Sequence, residues 1–259
     1  RNSYIEDFKN NVIETLPDDY LSPAPLLGDL VQPGEIVILI TPIDLQAPKG
    51  RLILPQVQAI RDLLDSDAAA VVVKEREYPH ILSQLMKSQP PALVVCDSQV
   101  VQKMVADTPD EIRCTTFSIL FSRFKGDLQE EVRGAAAIEN LEAGDKILIA
   151  EACSHHPLQD DIGRVKIPRW LRQYVGTDVH IDFSAGRDFP ENLSEYKVII
   201  HCGGCMLTRN EKLVRIRKAK SAGVPITNYG ITISLVQGVL KRVLSPFPAA
   251  LDVYIGNIG

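Results

Sequence analysis

The chain has 259 residues, 45% hydrophobic and 24% charged, with 28 Lys and Arg against 33 Asp and Glu for a net charge of −5. This ordinary globular make-up excludes intrinsic disorder, a collagen-like repeat, a small disulfide scaffold and a whole-chain basic footprint for nucleic acid. At roughly 150 residues per domain the length points to about two small domains, and no apolar run approaches the roughly 18–20 residues that cross a bilayer. Neither nucleic acid nor a membrane is expected as a partner.

In chain order, residues 1–16 read as a helix with Tyr4, Ile5, Phe8, Val12, Ile13 and Leu16 on one stripe. Its mixed charges exclude a signal peptide. Pro17, Pro23 and Pro25 then favour extended backbone, so residues 1–24 form a helix and a linker. Strands are expected at 35–41, 69–73, 92–96 and 113–118, separated by helices at 55–64, 78–87 and 98–106. Continuous apolar strands alternating with helices mean a parallel sheet covered on both faces. A second unit follows, with a helix at 128–140, a strand at 145–150, a helix at 168–175, strands at 178–183 and 197–201, a basic helix at 209–222, a strand at 225–228 and a closing helix at 230–243. The expected fold class is therefore α/β, with two small Rossmann-like parallel-sheet domains at 25–126 and 127–259. No P-loop, G-x-G-x-x-G, G-x-S-x-G or H-E-x-x-H occurs in the chain.

Five cysteines, Cys96, Cys114, Cys153, Cys202 and Cys205, are too few and too odd in number for a secreted disulfide framework, so a reducing, cytoplasmic setting is expected. Cys96 and Cys114 end or occupy apolar strands and read as buried core thiols. His80, His180 and Trp170 read as structural, and His156 as a loop-shaping neighbour.

The other three cysteines stand in a constellation. One strand runs into Glu151-Ala-Cys153-Ser-His155-His156, and another into His201-Cys202-Gly-Gly-Cys205. Both clusters lie just past the carboxyl ends of parallel strands, where open α/β sheets place ligand sites. Thiolates at i and i+3 across a Gly-Gly turn can face one soft metal centre, and the glycines allow positive φ. Cys153 adds a third thiolate. A fourth ligand can come from His155, His201, Glu151, Asp160 or Asp161, and the set suits zinc or an iron–sulfur cluster. A dithiol redox pair of Cys202 and Cys205 is the other chemistry open to these residues. The basic helix with Arg209, Lys212, Arg215, Arg217, Lys218 and Lys220 reads as a solvated face, or else as a docking patch for an acidic partner or an anionic cluster precursor.

The combination Cys153-Ser-His155 with His201-Cys202-Gly-Gly-Cys205 resembles the signature of the HydF family of FeFe-hydrogenase maturation proteins. Residues 34–51 also look like that family's dimerisation domain, and residues 155–169 like its cluster domain. The resemblance implies a scaffold rather than a turnover enzyme. It implies a 4Fe–4S cluster held by Cys153, Cys202 and Cys205 with a labile fourth position, and His155 and His201 beside it. It implies a transient two-iron subcluster precursor assembled with two radical-SAM maturases and delivered to apo FeFe hydrogenase by a homodimer. Family members also carry a GTP-binding domain with a P-loop, absent from these residues. Together with Arg1 in place of a starting Met, this leads to the expectation of a fragment without GTPase activity of its own.

Overall fold

In the computed structural model, which describes residues 4–6, 25–42, 52–152, 161–186 and 190–257, the apolar runs become the strands of two sheets. The first contains β1 (Ile36–Ile40), β2 (Ala69–Val73), β3 (Leu93–Cys96) and β4 (Cys114–Thr116), in the order β2-β1-β3-β4. The second contains β5 (Lys146–Glu151), β6 (His180–Ala185), β7 (Val198–His201) and β8 (Ile226–Asn228), in the order β6-β5-β7-β8. Every pairing is parallel. The two sheets therefore share one winding. The chain goes from an inner strand to one edge and returns on the other side, so the order reverses between β1 and β3 and between β5 and β7.

The helices are α1 (Leu54–Asp65), α2 (Tyr78–Ser88), α3 (Val101–Asp107), α4 (Phe117–Lys125), α5 (Leu128–Ala136), α6 (Ile167–Val175), α7 (Arg209–Ser221), α8 (Tyr229–Val236), α9 (Leu240–Leu244) and α10 (Pro248–Asn257). Most sequence-based elements are present, and the differences have local causes. The strand expected at 113–118 stops at Thr116, whose hydroxyl accepts the Ile119 N–H and starts α4. The closing helix expected at 230–243 breaks, because Val239 N–H reaches back to the Ser234 carbonyl and Gly238 N–H to Leu235, a Schellman stop. A single π-helical turn, Ile162–Lys166, precedes α6. Of the helix and linker expected at 1–24, residues 4–6 are helical and the rest lies outside the described residues. No helix among the described residues is long and apolar enough to cross a membrane.

One apolar core runs through both units. Val37, Leu39, Val95, Leu120 and Phe121 belong to the same buried cluster as Val132, Ile147, Ile149, Val198 and Ile200. The opposite face of the second sheet, with Leu148, Ala150 and Ile199, packs on Ile216 and Ala219 of α7. At the outer edges matters differ. Strand β2 reads Ala-Ala-Val-Val-Val, pairs among the described residues with β1 alone, and leaves Val72 42% exposed. Leu54 and Val57 of the neighbouring α1 are exposed as well.

Candidate metal-cluster site

The ends of β5 and β7 are adjacent, with Ala150 opposite His201, and they form the point where the strand order of the second sheet reverses. The crevice outside such carboxyl ends is the usual ligand position of an open parallel sheet. Just beyond β7, Cys202 N–H bonds the Ala150 carbonyl at 2.8 Å, and Cys202 Sγ accepts the Ala152 N–H at 3.2 Å. The next residue in sequence after Ala152 is Cys153. The structure thus brings the Cys202 sulfur to the segment that leads into the other half of the motif. Cys153, His155, His156 and Asp160 themselves lie outside the described residues. Among the described residues no group of three or more His, Cys, Asp and Glu lies close enough to hold a metal ion.

Strand alternation sorts the remaining candidates. Side chains at successive strand positions point to opposite faces. Ile147, Ile149, Val198 and Ile200 face the main core, whereas Leu148, Ala150 and Ile199 face α7. His201 belongs to the second set: its Nε2 lies 3.0 Å from an Arg215 guanidinium nitrogen on α7, and its Nδ1 lies 2.5 Å from the Cys202 carbonyl. Burial, aided by the cationic Lys212 and Arg215, pushes the imidazole down to about 4, so His201 is neutral at pH 7. Glu151 belongs to the first set. One carboxylate oxygen accepts from Arg164 at 2.9 Å, and the other, Oε1, is buried with no hydrogen-bond partner among the described residues. Asp161 is buried and accepts the Arg164 N–H at 2.8 Å, capping the π turn.

Residues that sequence reasoning did not single out complete the surroundings. Tyr229, first in α8, has a buried hydroxyl without a hydrogen-bond partner among the described residues. Burial raises its phenol, and the nearby Cys202, Glu151 and Asp161 push the same way. Gly163 of the π turn makes room for it, since a Cβ there would lie 2.1 Å from the Tyr229 hydroxyl oxygen. Gly204 in the Gly-Gly turn adopts φ +62°, as the spacing of the two thiols anticipates, while Gly203 does not have positive φ. Lys125, at the end of α4, donates to the carbonyls of Cys205 at 3.0 Å and Leu207 at 3.1 Å. The basic helix is not simply a solvated face either: Lys212 is 3% exposed and paired with Glu131, and Arg215 is 6% exposed behind His201.

A buried carboxylate oxygen and a buried hydroxyl, both without a partner among the described residues, are costly unless something meets them. Cys202, the thiol nearest this tyrosine, and Cys205, three residues further along the same loop, are both half-buried. This donor set fits a metal–sulfur group, whose metal takes thiolate or carboxylate and whose sulfides accept hydrogen bonds.

Comparison with known proteins gives two family matches. Residues 26–126 match the Hydrogen maturase F dimerization domain, and residues 129–246 match the Hydrogen maturase F tetramerization domain. No curated protein matches the chain significantly. Among solved structures, a putative transcription regulation repressor of the LacI family from Corynebacterium glutamicum is 12% identical, with 82% of this chain and 92% of that one covered and a TM-score of 0.25. An ABC transporter solute-binding protein from Burkholderia multivorans is 13% identical, with 87% and 94% covered and a TM-score of 0.25. At those scores neither likeness carries an argument.

Proposed function

The chain belongs to the hydrogen maturase F family, and from that premise we propose that it is a scaffold that holds a 4Fe–4S cluster and passes a two-iron precursor to apo FeFe hydrogenase. Family membership places the chain in hydrogenase maturation, and the matched dimerization domain supports a homodimer. In our reading Cys153, Cys202 and Cys205 hold the cluster. The observation that carries this is the position of Cys202 Sγ, at the reversal point of the second sheet and within hydrogen-bond reach of the residue before Cys153.

When bound, such a cluster supplies an electron-rich iron–sulfur surface with one exchangeable coordination position. The chain's own residues shape the rest. His201 is already engaged on the far face of the sheet, which leaves Glu151, His155, Asp160 and Asp161 as fourth-ligand candidates. Glu151 Oε1 has an unused acceptor position, whereas Asp161 is tied into its cap. The Tyr229 hydroxyl is a donor in search of an acceptor. A weakly held oxygen or imidazole ligand from one of these residues would suit a position that has to give way to the two-iron substrate. We assign precursor assembly to cooperation with two radical-SAM maturases, in a reducing cytoplasmic setting that suits thiolate chemistry at this site. We place the homodimer contact on the β2 edge, which has no second strand partner among the described residues, and on the exposed Leu54, Val57 and Leu64 of α1.

The test is anaerobic reconstitution with iron and sulfide, followed by metal counting and EPR of the reduced protein. About four irons per chain and a reduced-cluster signal, both lost in Cys202→Ala, are expected. A colourless, EPR-silent protein with one zinc per chain would replace this reading with a structural zinc module. A reversible Cys202–Cys205 disulfide in a metal-free protein would point instead to dithiol chemistry.

A further inference from the structure

We propose that the 202–205 loop is positioned by two cations from different halves of the molecule, Arg215 and Lys125, and that His201 is the peg between Arg215 and the loop rather than a metal ligand. The proposal rests on the cluster reading only for its loaded-state measurement.

The hydrogen-bond inventory fixes the roles. A guanidinium has donors only, so His201 Nε2 must accept from Arg215. The ring proton then sits on Nδ1 and is donated to the Cys202 carbonyl. Both ring nitrogens thereby have protein partners, and the imidazole is 2% exposed, on the α7 face of the sheet. The second arm of Arg215 donates to the Gly186 carbonyl at 2.5 Å, just past β6. One buried guanidinium therefore ties the carboxyl ends of β6 and β7 to α7. At the other end of the loop, the Lys125 ammonium gathers the Cys205 and Leu207 carbonyls. Lys125 lies on α4, which follows the last strand of the first sheet. The loop is thus anchored at its start through His201 and at its end by the first unit, with the two thiols between the anchors. Partners behind a ligand set its orientation, and their loss typically weakens metal holding about 10–100-fold.

Two measurements test this. In the reconstituted, reduced protein, pulsed EPR should give the same nitrogen couplings in the unmodified chain and in His201→Gln. A strongly coupled nitrogen that disappears in His201→Gln would show His201 to be a ligand and overturn its role as peg. Iron release to a chelator should be about tenfold faster in Arg215→Met and in Lys125→Met, with Lys125→Arg intermediate. The second measurement needs no cluster: alkylation of Cys205 by iodoacetamide in the metal-free protein, with circular dichroism as the check on folding. The rate should rise several-fold in both Met variants and fall back toward the unmodified rate in Lys125→Arg and Arg215→Lys. Unchanged alkylation in folded Met variants would overturn the clamp even in a protein that also takes up iron. Faster alkylation in a protein that takes up no iron would keep the clamp and sink the cluster reading.

Discussion

Glu131 is 1% exposed and accepts from three groups: the Lys212 ammonium at 2.8 Å, the Ser122 hydroxyl at 2.5 Å and the Asn228 amide. Glu131→Leu keeps the volume and leaves Lys212, itself nearly fully buried, as an uncompensated charge. Breaking a buried pair in this way costs about 3–5 kcal/mol, and the stranded Ser122 and Asn228 donors push toward the upper end. At about 2–4 °C per kcal/mol for a chain of this size, the midpoint of a thermal melt should fall by roughly 6–20 °C. Removing both charges is a different matter, since apolar replacements of buried pairs are often neutral or better. The double variant Glu131→Leu/Lys212→Met should therefore be more stable than Glu131→Leu alone, with a coupling energy of at least about 2 kcal/mol in a double-mutant cycle. The pH dependence follows from the carboxyl. Burial alone would raise it, but the Lys212 charge and the bonds from Lys212, Ser122 and Asn228 bring it below the ordinary value. Its stabilisation is thus complete above the unfolded carboxyl value of about 4.3 and is lost as pH falls through the lower folded value. The gap between the unmodified chain and Glu131→Leu should be flat at neutral pH and close only in strong acid. A single-variant loss below about 1 kcal/mol, or a double variant equal to the sum of its parts, would refute the account.

Three further outcomes are expected. Val72→Lys places a charge on the β2 edge, and sedimentation should show a homodimer weakened about a hundredfold, or roughly 3 kcal/mol; an unchanged dimer would move the contact elsewhere. In the metal-free native protein at pH 8, iodoacetamide should label Cys202 and Cys205 but spare Cys96 and Cys114 until denaturant is added, because burial raises the Cys96 thiol far above its usual value and pushes Cys114 up to about 11; native labelling of Cys114 would contradict this. Tyr229→Phe removes a buried hydroxyl with no partner among the described residues, so the metal-free protein should be unharmed or gain up to about 1 kcal/mol, whereas the loaded protein should show a more negative midpoint potential. A clear loss of stability without metal would mean that the hydroxyl has a partner in the protein.

The alternation of uncharged apolar runs with helices made both parallel sheets readable, and the strand-end position of Cys202 followed from it. What escaped were features set by distance in sequence. Nothing local marks Lys125 as a partner of a loop some 80 residues away. Arg215 and Lys212 look like any exposed cations of a basic helix, and only the neighbouring sheet and α5 show that they are buried. Helix α4 was missed because its first residues, Phe117 to Leu120, extend an apolar strand pattern, and the Thr116 cap is the one cue against it. His201 reads as a ligand from its neighbours in sequence, yet strand alternation turns it to the opposite face from Ile200.

The continuous core has a consequence for how the molecule opens. The two family matches meet near residues 126–129, but Leu120 and Phe121 on one side of that joint are packed in the same cluster as Val132 and Ile147 on the other. Ser122 and Asn228, from opposite sides, share the Glu131 carboxylate. Amide protons of β1, β3, β5 and β7 should therefore exchange with deuterium through a single common opening rather than two, with one free energy for all four strands. Cleavage of the chain at this joint would not release two independent modules, because each half would expose apolar surface that only the other half covers.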